Sequence, residues 1–131
     1  MVNKKEIENN ALFWQKIDSL FLASKVIIDR PKGSSHPVYN QMVYPVDYGY
    51  LQDTFSMDHD GIDVFVGSSK PHLIDTIALA ADILKKDIEV KIFYGCTSQE
   101  EDEILTFLNN SSFQKTILVR RGDSVPEWAN D

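Results

Sequence analysis

Three aspartates stand within six residues of one another in the segment SMDHDGID, at Asp58, Asp60 and Asp63. A tight turn around Gly61 would let their carboxylates converge on one point, where the repulsion between them has to be offset. Hard cations such as Mg²⁺ and Mn²⁺ bind oxygen ligands of this kind. An exposed turn, in which Asp and Gly only shape the backbone, is the alternative. Taken alone, this spacing is more typical of a solvated turn, so the metal site is a prediction that the rest of the sequence has to support.

Other kinds of metal site fit this segment less well. A calcium-binding EF-hand loop needs Gly at its sixth position and Glu at its twelfth, whereas Gly61 is the fourth residue counted from Asp58. Zinc sites commonly combine His with pairs of Cys, but the histidines are scattered and Cys96 is the only cysteine. Binding of a softer metal by His59 stays open.

The composition is that of an ordinary globular domain. The chain has 131 residues, 43% of them hydrophobic and 25% charged, which suits a single domain spanning residues 1–131. The net charge of −7 disfavours nucleic acid and membrane as partners, because both need a surplus of Lys and Arg on the protein. Bound divalent metal would still draw a small phosphate compound to an acidic site.

Two features of the sequence bear on its location. It contains neither a secretion signal nor a run of the roughly 20 apolar residues needed to cross a bilayer. With Cys96 as the single cysteine, no internal disulfide can form, which fits a reducing compartment. We therefore expect a cytoplasmic protein.

Periodicity and capping signals predict two helices and several strands. Apolar residues at spacings of three and four predict a helix over residues 3–24. A second helix, over residues 98–110, has Thr97 or Ser98 as its cap and two glutamates at the positive end of its dipole. Strands are predicted over residues 25–29, 63–67, the first half of 74–84, 89–96 and 113–121. Because helices and strands do not alternate regularly, the order predicts a mainly β (α+β) fold with an antiparallel sheet or barrel.

The run YPVDYGYLQDTFSMDHDGID resembles the soluble Mg²⁺-dependent inorganic pyrophosphatases, whose core reads roughly YP-x-NYGY-x-x-x-T-x-x-x-DGDP-x-D. The segments VIIDRPKGSSHPVYN and DIEVKIFYGC are similar to flanking parts of that family. The likeness covers residues 25–110 and is strongest over 44–66. It implies a small OB-like five-stranded barrel, trimmed of one hairpin, with an N-terminal helix and a helix in the C-terminal half.

The resemblance also implies roles for individual residues. Asp58, Asp63 and Glu89 would bind Mg²⁺, with Mn²⁺ as an alternative, and Asp60 would take the proton from the attacking water. A further family aspartate has Asp87 as its nearest counterpart. The implied reaction is hydrolysis of pyrophosphate, or of a related small phosphoanhydride, to give phosphate.

Four more residues are implied to bind substrate. Tyr48 and Lys91 match family positions that contact phosphate. Arg30 and Lys32 could replace cations that the family has elsewhere, although both are equally well explained as exposed loop residues. The apolar N-terminal helix favours a homo-oligomer.

The sequence departs from the family pattern mainly at the positions that bind phosphate. Val38 and Asn40 stand where the family has Lys and Glu, and His59 and Gly61 replace Gly and Pro of the aspartate motif. The family's hairpin with its Arg and a later Tyr-Lys pair have no counterpart. A non-catalytic module that binds metal or phosphate is therefore the alternative to an enzyme.

Overall fold

The structure is a computed structural model that describes residue 4, residues 8–56, residues 60–126 and residue 129. Asp58 and His59 of the aspartate cluster lie outside the described residues. Within the described part of the chain, no helix is long and apolar enough to cross a membrane.

The described residues form two helices and six strands. In chain order these are α1 (Ala11–Leu22), β1 (Val26–Arg30), β2 (Asp47–Leu51), β3 (Asp63–Val66), β4 (Thr76–Asp82), β5 (Asp87–Tyr94), α2 (Ser98–Leu108) and β6 (Gln114–Arg120). This confirms the prediction of a mainly β fold with two helices.

The six strands form one sheet in the order β1-β2-β3-β5-β4-β6. Every neighbouring pair is antiparallel except β3 and β5, which run parallel. Since β1 and β6 do not pair with each other in the described chain, the sheet is not closed into a barrel. The expected five-stranded barrel is corrected in these two respects, the strand number and the closure.

One helix covers each face of the sheet. Trp14 and Phe21 of α1 are buried against Leu51, Val64 and other apolar residues of one face. On the opposite face, Ile104 and Leu108 of α2 pack with Phe65 and Phe93. This second face also carries the polar residues discussed below, so α2 and the site share one side of the sheet.

Strand β5 shows how the sequence separates the two faces. Ile88, Val90 and Ile92 alternate with Asp87, Glu89, Lys91 and Phe93. Because successive side chains of a strand point to opposite faces, the isoleucines and valine lie on the α1 side and the charged residues on the α2 side. The neighbouring residues on β4 are Ala80 opposite Glu89 and Ala78 opposite Lys91. These small side chains leave room above the charged pair.

Both helices begin at capping residues. The side chain of Asn10 accepts hydrogen bonds from the N–H groups of Leu12 and Phe13, so α1 begins at Ala11 rather than near residue 3 as predicted. Residues 3 and 5–7 of that prediction lie outside the described residues. At α2, Thr97 and Glu100 form a reciprocal capping box, which confirms the predicted start of this helix.

Strand β2 was not predicted, because its residues DYGYL read as an aromatic turn. Gly49 allows β2 to pair closely with β1. A Cβ atom at this position would lie 1.8 Å from the carbonyl oxygen of Ile27 on β1, so only glycine allows the two strands this approach. Because side chains alternate along a strand, Tyr48 and Tyr50 on either side of Gly49 project from the face that carries α2.

Candidate active site

The ammonium group of Lys91 is the centre of a buried polar cluster on the α2 face. Its Nζ donates to Asp63 Oδ2 at 2.8 Å, to Glu89 Oε2 at 3.2 Å and to the Tyr48 hydroxyl at 3.3 Å. Lys91 is only 6% exposed and Glu89 only 7%. The cluster joins four of the residues singled out in the sequence.

The sheet register explains why these residues meet. Asp63 on β3 lies beside Lys91 in the parallel pairing of β3 with β5, although the two are far apart along the chain. Glu89 stands two residues before Lys91 and shares its face. Tyr48 on β2 pairs with Phe65, the residue two positions after Asp63, and so extends the same row. Strands β2, β3 and β5 therefore each contribute side chains to the polar cluster around Lys91.

A second ammonium group reaches Glu89. Lys85 lies in the turn between β4 and β5, and its Nζ donates to Glu89 Oε1 at 2.9 Å and lies 4.0 Å from Asp87 Oδ2. Asp82 fixes this turn, because its Oδ1 accepts from the N–H groups of Leu84 and Lys85. Both oxygens of Glu89 therefore contact a lysine.

The charges and burial of the cluster shift its pKa values in opposite directions. Burial alone would raise the pKa of Glu89, but the ammonium groups of Lys91 and Lys85 lower it to about 2. Burial raises the pKa of Asp63, and Lys91 offsets part of this effect. The pKa of Lys91 is raised despite its burial, because Tyr48, Asp63 and Glu89 surround it. Burial also raises the pKa of Tyr48, which keeps its hydroxyl protonated.

Asp60 lines the same cleft as this cluster and is exposed. Its backbone carbonyl accepts hydrogen bonds from the N–H and the hydroxyl of Ser56, which hold the segment after the turn. The predicted ligand Asp58 lies outside the described residues. Within the described part of the chain, no three His, Cys, Asp or Glu side chains form a metal-binding group.

The two predicted cations of the RPKGS loop have different positions. The guanidinium of Arg30 lies 5.6 Å from the ring centres of both Tyr44 and Tyr48, and it donates to the Tyr44 hydroxyl. Arg30 therefore lines the cleft next to the cluster. Lys32 is exposed and is not among the cleft-lining residues, and its backbone N–H donates to Asp47. The geometry gives Lys32 no support as a substrate-binding residue.

The cleft above the cluster has a volume of about 1140 Å³ and two unlike ends. We call one the carboxylate end; it contains Asp60, Asp63, Glu89, Lys91 and Lys85. The other, which we call the aromatic end, is built from the loop of residues 36–42 and from residues 107–114. Arg30, Tyr44 and Tyr48 lie between the two ends.

Comparisons with known proteins agree with this fold. The sequence profile described as "Inorganic pyrophosphatase" matches residues 3–84, which is more than half of the chain. The chain belongs to the inorganic pyrophosphatase family. The match includes Tyr48 and Asp63 and ends before Glu89 and Lys91 on β5.

Curated inorganic pyrophosphatases share a short segment with this family member. Those of Geobacillus stearothermophilus and Bacillus sp. (strain PS3) are each 44% identical to it over 34 residues, which is 26% of this chain and 21% of theirs. The matched segment thus spans about a fifth of the length of these relatives.

Solved structures establish the fold of this pyrophosphatase family member over three quarters of its length. An inorganic phosphatase from Anaplasma phagocytophilum has a TM-score of 0.52 at 16% identity and covers 75% of this chain and 82% of its own. The inorganic pyrophosphatase from Coxiella burnetii has a TM-score of 0.54 at 17% identity and covers 75% and 84%. That from Helicobacter pylori has a TM-score of 0.53 at 15% identity and covers 74% and 82%.

The side chains of the carboxylate end have the right chemistry for a hard divalent cation. Asp63, Asp87 and Glu89 offer only oxygen donors, as Mg²⁺ and Mn²⁺ require. One oxygen of Asp87, Oδ1, is buried and has no hydrogen-bond partner among the described residues. Burial and the neighbouring Glu89 raise the pKa of Asp87, and the nearby ammonium group of Lys85 offsets part of this effect. The donor atoms of these residues suit a hard metal ion, but within the described part of the chain the three side chains do not form a metal-binding group.

Sequence reasoning missed two parts of this site. Lys85 was not singled out, although it stands four residues before Glu89 in a short turn, which is a signal for an ion pair across the turn. The aromatic end was also missed, because Phe113 is far from Tyr39 in sequence and meets it only through the fold.

Proposed function

We propose that this protein hydrolyses pyrophosphate to two phosphates in an Mg²⁺-dependent reaction, with Mn²⁺ as an alternative ion. The observation that carries the proposal is the convergence of Tyr48, Asp63, Glu89 and Lys91 from three strands, on a cleft that Asp60 also lines. Membership of the inorganic pyrophosphatase family, whose enzymes need a divalent metal ion, supports it.

Asp58, Asp63 and Glu89 are the proposed metal ligands, and Asp87 adds a further carboxylate beside Glu89. A divalent ion bound there supplies two things: it lowers the pKa of a bound water towards neutrality, and it neutralises charge on the phosphate oxygens. This explains how a chain with a net charge of −7 can bind an anion.

The other residues have roles that follow from their chemistry. Asp60 takes the proton of the attacking water as a general base. The hydroxyl of Tyr48 stays protonated, because burial raises its pKa, and donates to a phosphate oxygen. Lys91 and Arg30 contribute positive charge on the same side of the cleft, whereas Lys32 is the weakest candidate because it does not line the cleft.

The lysines also explain how the carboxylates tolerate one another before metal binds. Lys91 bridges Asp63 and Glu89, and Lys85 contacts the second oxygen of Glu89. Two buried carboxylates without a counter-charge would cost several kcal/mol. The ammonium groups therefore offset the repulsion between the two carboxylates.

The change Asp60→Asn tests the assignment of the base. The rate of phosphate release from pyrophosphate should fall at least about a hundredfold, because general-base catalysis contributes roughly 10²–10⁴ in rate. Mg²⁺ affinity, measured by calorimetry, should change by less than about threefold. The matched control is Asp102→Asn on the exposed face of α2, which should behave as wild type. Wild-type turnover in Asp60→Asn would show that Asp60 is not the base.

A non-catalytic metal- or phosphate-binding module is the second candidate. The observation in its favour is that both oxygens of Glu89 already contact lysine ammonium groups. The cleft has only Arg30, Lys85 and Lys91 as Lys or Arg residues among its described lining. Binding of pyrophosphate by wild type without any phosphate release would favour this candidate.

Two further expectations concern the whole protein. We propose a homo-oligomer, in which α1 and the adjoining sheet face contribute to the interface, because Phe13, Leu22 and Phe55 expose 47%, 84% and 81% of their surface. Light scattering would show a mass above 14.9 kDa. A cytoplasmic location is the second expectation, and cell fractionation tests it.

A further inference from the structure

The aromatic end of the cleft has no obvious use in the hydrolysis of pyrophosphate. Pyrophosphate is far smaller than a drug-sized ligand, yet the open cleft of about 1140 Å³ exceeds the range of about 300 to 1,000 Å³ that is typical of pockets for such ligands. The carboxylate end alone offers the charged groups that pyrophosphate needs. The rest of the cleft has room for part of a larger compound.

The walls of the aromatic end are rings and amides rather than charges. Tyr39 and Phe113 face each other with ring centres 6.2 Å apart, and Tyr39 is 46% exposed. Asn40, Gln41 and Asn110 line the same cleft. Among the described residues 36–42 and 107–114 of this end, none is Lys or Arg. Burial and the charges of Arg30 and Lys85 lower the pKa of His36, so these two cations lie at the border of the aromatic end.

The loop that carries Tyr39 is a short hairpin with a fixed backbone. His36 N–H donates to the carbonyl of Met42, and the N–H of Tyr44 donates to that of Ser34. The Nδ1 atom of His36 also accepts from the N–H of Tyr39 at 3.1 Å. Tyr39 is therefore held at the cleft by its backbone while its ring stays accessible.

A continuous series of rings connects the two ends. Tyr39 contacts His36 at 5.2 Å, His36 stacks on Tyr44 at 6.3 Å, and Tyr44 stacks on Tyr48 at 5.1 Å between ring centres. The Nζ of Lys91 lies 5.5 Å from the centre of the Tyr48 ring. A molecule with phosphates at one end and a planar ring at the other matches this order of surfaces.

We propose that the cleft binds phosphoanhydrides that carry an aromatic base, such as nucleoside diphosphates and triphosphates, with the base against Tyr39 and Phe113. The phosphates then lie at the carboxylate end, next to Arg30, so this part rests on the proposed function. The amides of the aromatic end can both donate to and accept from the polar edge of a base. Stacking on aromatic side chains accepts any base, since each has a flat π face.

Hydrolysis of such a compound follows the same chemistry. With a nucleoside diphosphate, the oxygen of water bonds to the terminal phosphorus and its proton passes to Asp60. The bond from that phosphorus to the bridging oxygen breaks, and the bridging oxygen stays with the nucleoside monophosphate. Phosphate is the other product, and no further reactant is needed.

Two non-hydrolysable compounds test the inference by calorimetry in the presence of Mg²⁺. They are α,β-methylene adenosine diphosphate and methylenediphosphonate, which share a P–C–P unit and differ by the nucleoside. Attachment of the nucleoside takes up one ionisable oxygen, so the nucleotide analogue carries less negative charge than methylenediphosphonate. On charge alone, it would therefore bind more weakly. We expect wild type to bind the nucleotide analogue at least about tenfold more tightly, as stacking of one base provides.

Variants locate the source of this preference. Tyr39→Ala should reduce the ratio of the two affinities at least about fivefold, and Phe113→Ala should reduce it in the same direction. Tyr39→Phe retains the ring and should retain the ratio. The affinity for methylenediphosphonate should stay within about twofold of wild type in all three variants, because the carboxylate end is untouched.

The outcomes separate this inference from the proposed function. Equal or weaker binding of the nucleotide analogue by wild type, or an unchanged ratio in Tyr39→Ala, overturns the base site even if pyrophosphate is hydrolysed. A clear preference that depends on Tyr39 supports the base site even if pyrophosphate is not hydrolysed. In that case only the proposed pyrophosphatase activity fails.

Discussion

The two ends of the cleft are built in different ways. At the carboxylate end, Lys91 is 6% exposed and has three polar partners, and every member of its cluster except Lys85 stands on a strand. At the aromatic end, Tyr39 is 46% exposed on a loop and contacts its neighbours only through its ring and backbone. At the carboxylate end, the strands hold charged side chains in fixed positions. At the aromatic end, we expect that side chains of the loop can be changed without disturbing the sheet.

If this contrast is correct, changes at the carboxylate end should affect stability strongly and those at the aromatic end should not. The largest effect is expected for Lys91→Met, which removes the charge that bridges Asp63 and Glu89. Breaking a buried ion pair from one side costs about 3–5 kcal/mol in free energy of unfolding. Urea unfolding without divalent metal measures this change.

The control for this variant is Lys32→Met, which alters an exposed lysine outside the cleft and should cost less than about 0.5 kcal/mol. Addition of Mg²⁺ should recover part of the loss in Lys91→Met, because a bound cation neutralises the same carboxylates. A loss of less than about 1 kcal/mol would mean that the carboxylates do not depend on Lys91.

Acid is expected to have a smaller effect. It should remove on the order of 2 kcal/mol of the free energy of unfolding that Glu89 contributes, after allowance for solvent screening. The lysines lower the pKa of Glu89 from its usual 4.5 to about 2. A lowered pKa means that the stability contributed by Glu89 is fully present above pH 4.5 and is lost as the pH falls towards 2. The raised pKa values of Asp63 and Asp87 act in the opposite direction.

The contribution of Glu89 is therefore obtained as a difference. The stability of wild type minus that of Glu89→Gln, measured from pH 6 down to about 2.5 without divalent metal, should shrink as the pH falls. Glu103→Gln on α2 is the matched control, because Glu103 is exposed, and its difference from wild type should be flat. A difference for Glu89→Gln that does not depend on pH would contradict the ion pairs with Lys85 and Lys91.

The smallest effect is expected at the aromatic end. Tyr39→Ala should change the free energy of unfolding by no more than about 0.5 kcal/mol, because the side chain is half exposed and lies on a loop. Urea unfolding of this variant alongside Lys91→Met gives the comparison directly. A loss of 2 kcal/mol or more would show that Tyr39 supports the fold, and the contrast between the two ends would then fail.

The sequence predicted the elements whose signals are local. Helix α2 was predicted because a capping residue, Thr97 or Ser98, and two glutamates precede an apolar face, and the structure shows Thr97 as the cap. Strand β5 was predicted over residues 89–96 and lies at Asp87–Tyr94. Strand β2 was missed because Gly49, which weakens a strand by propensity, is needed there only for the close approach of β1, a tertiary contact.

The site was predictable where the residues resemble the family and not where the fold brings distant residues together. Asp63 and Lys91 could be named from motifs, but their contact depends on the parallel pairing of β3 with β5, which leaves β4 on the far side of β5. No local pattern indicates that order. Tyr39 belongs to no motif, so only the geometry revealed its place in the cleft, and the spacing of Lys85 from Glu89 was a weak signal that gained meaning only with the turn between β4 and β5.

The most direct test of the whole account is phosphate release from pyrophosphate at neutral pH, with Mg²⁺ and then Mn²⁺, in wild type and in Asp63→Asn. Asp63 is chosen because it is a described member of the carboxylate end that contacts Lys91. We expect metal-dependent release by wild type and a loss of at least about a hundredfold in Asp63→Asn, since the metal site supplies several kcal/mol of transition-state stabilisation. No release by folded wild type with either ion, or equal release by the variant, would contradict it.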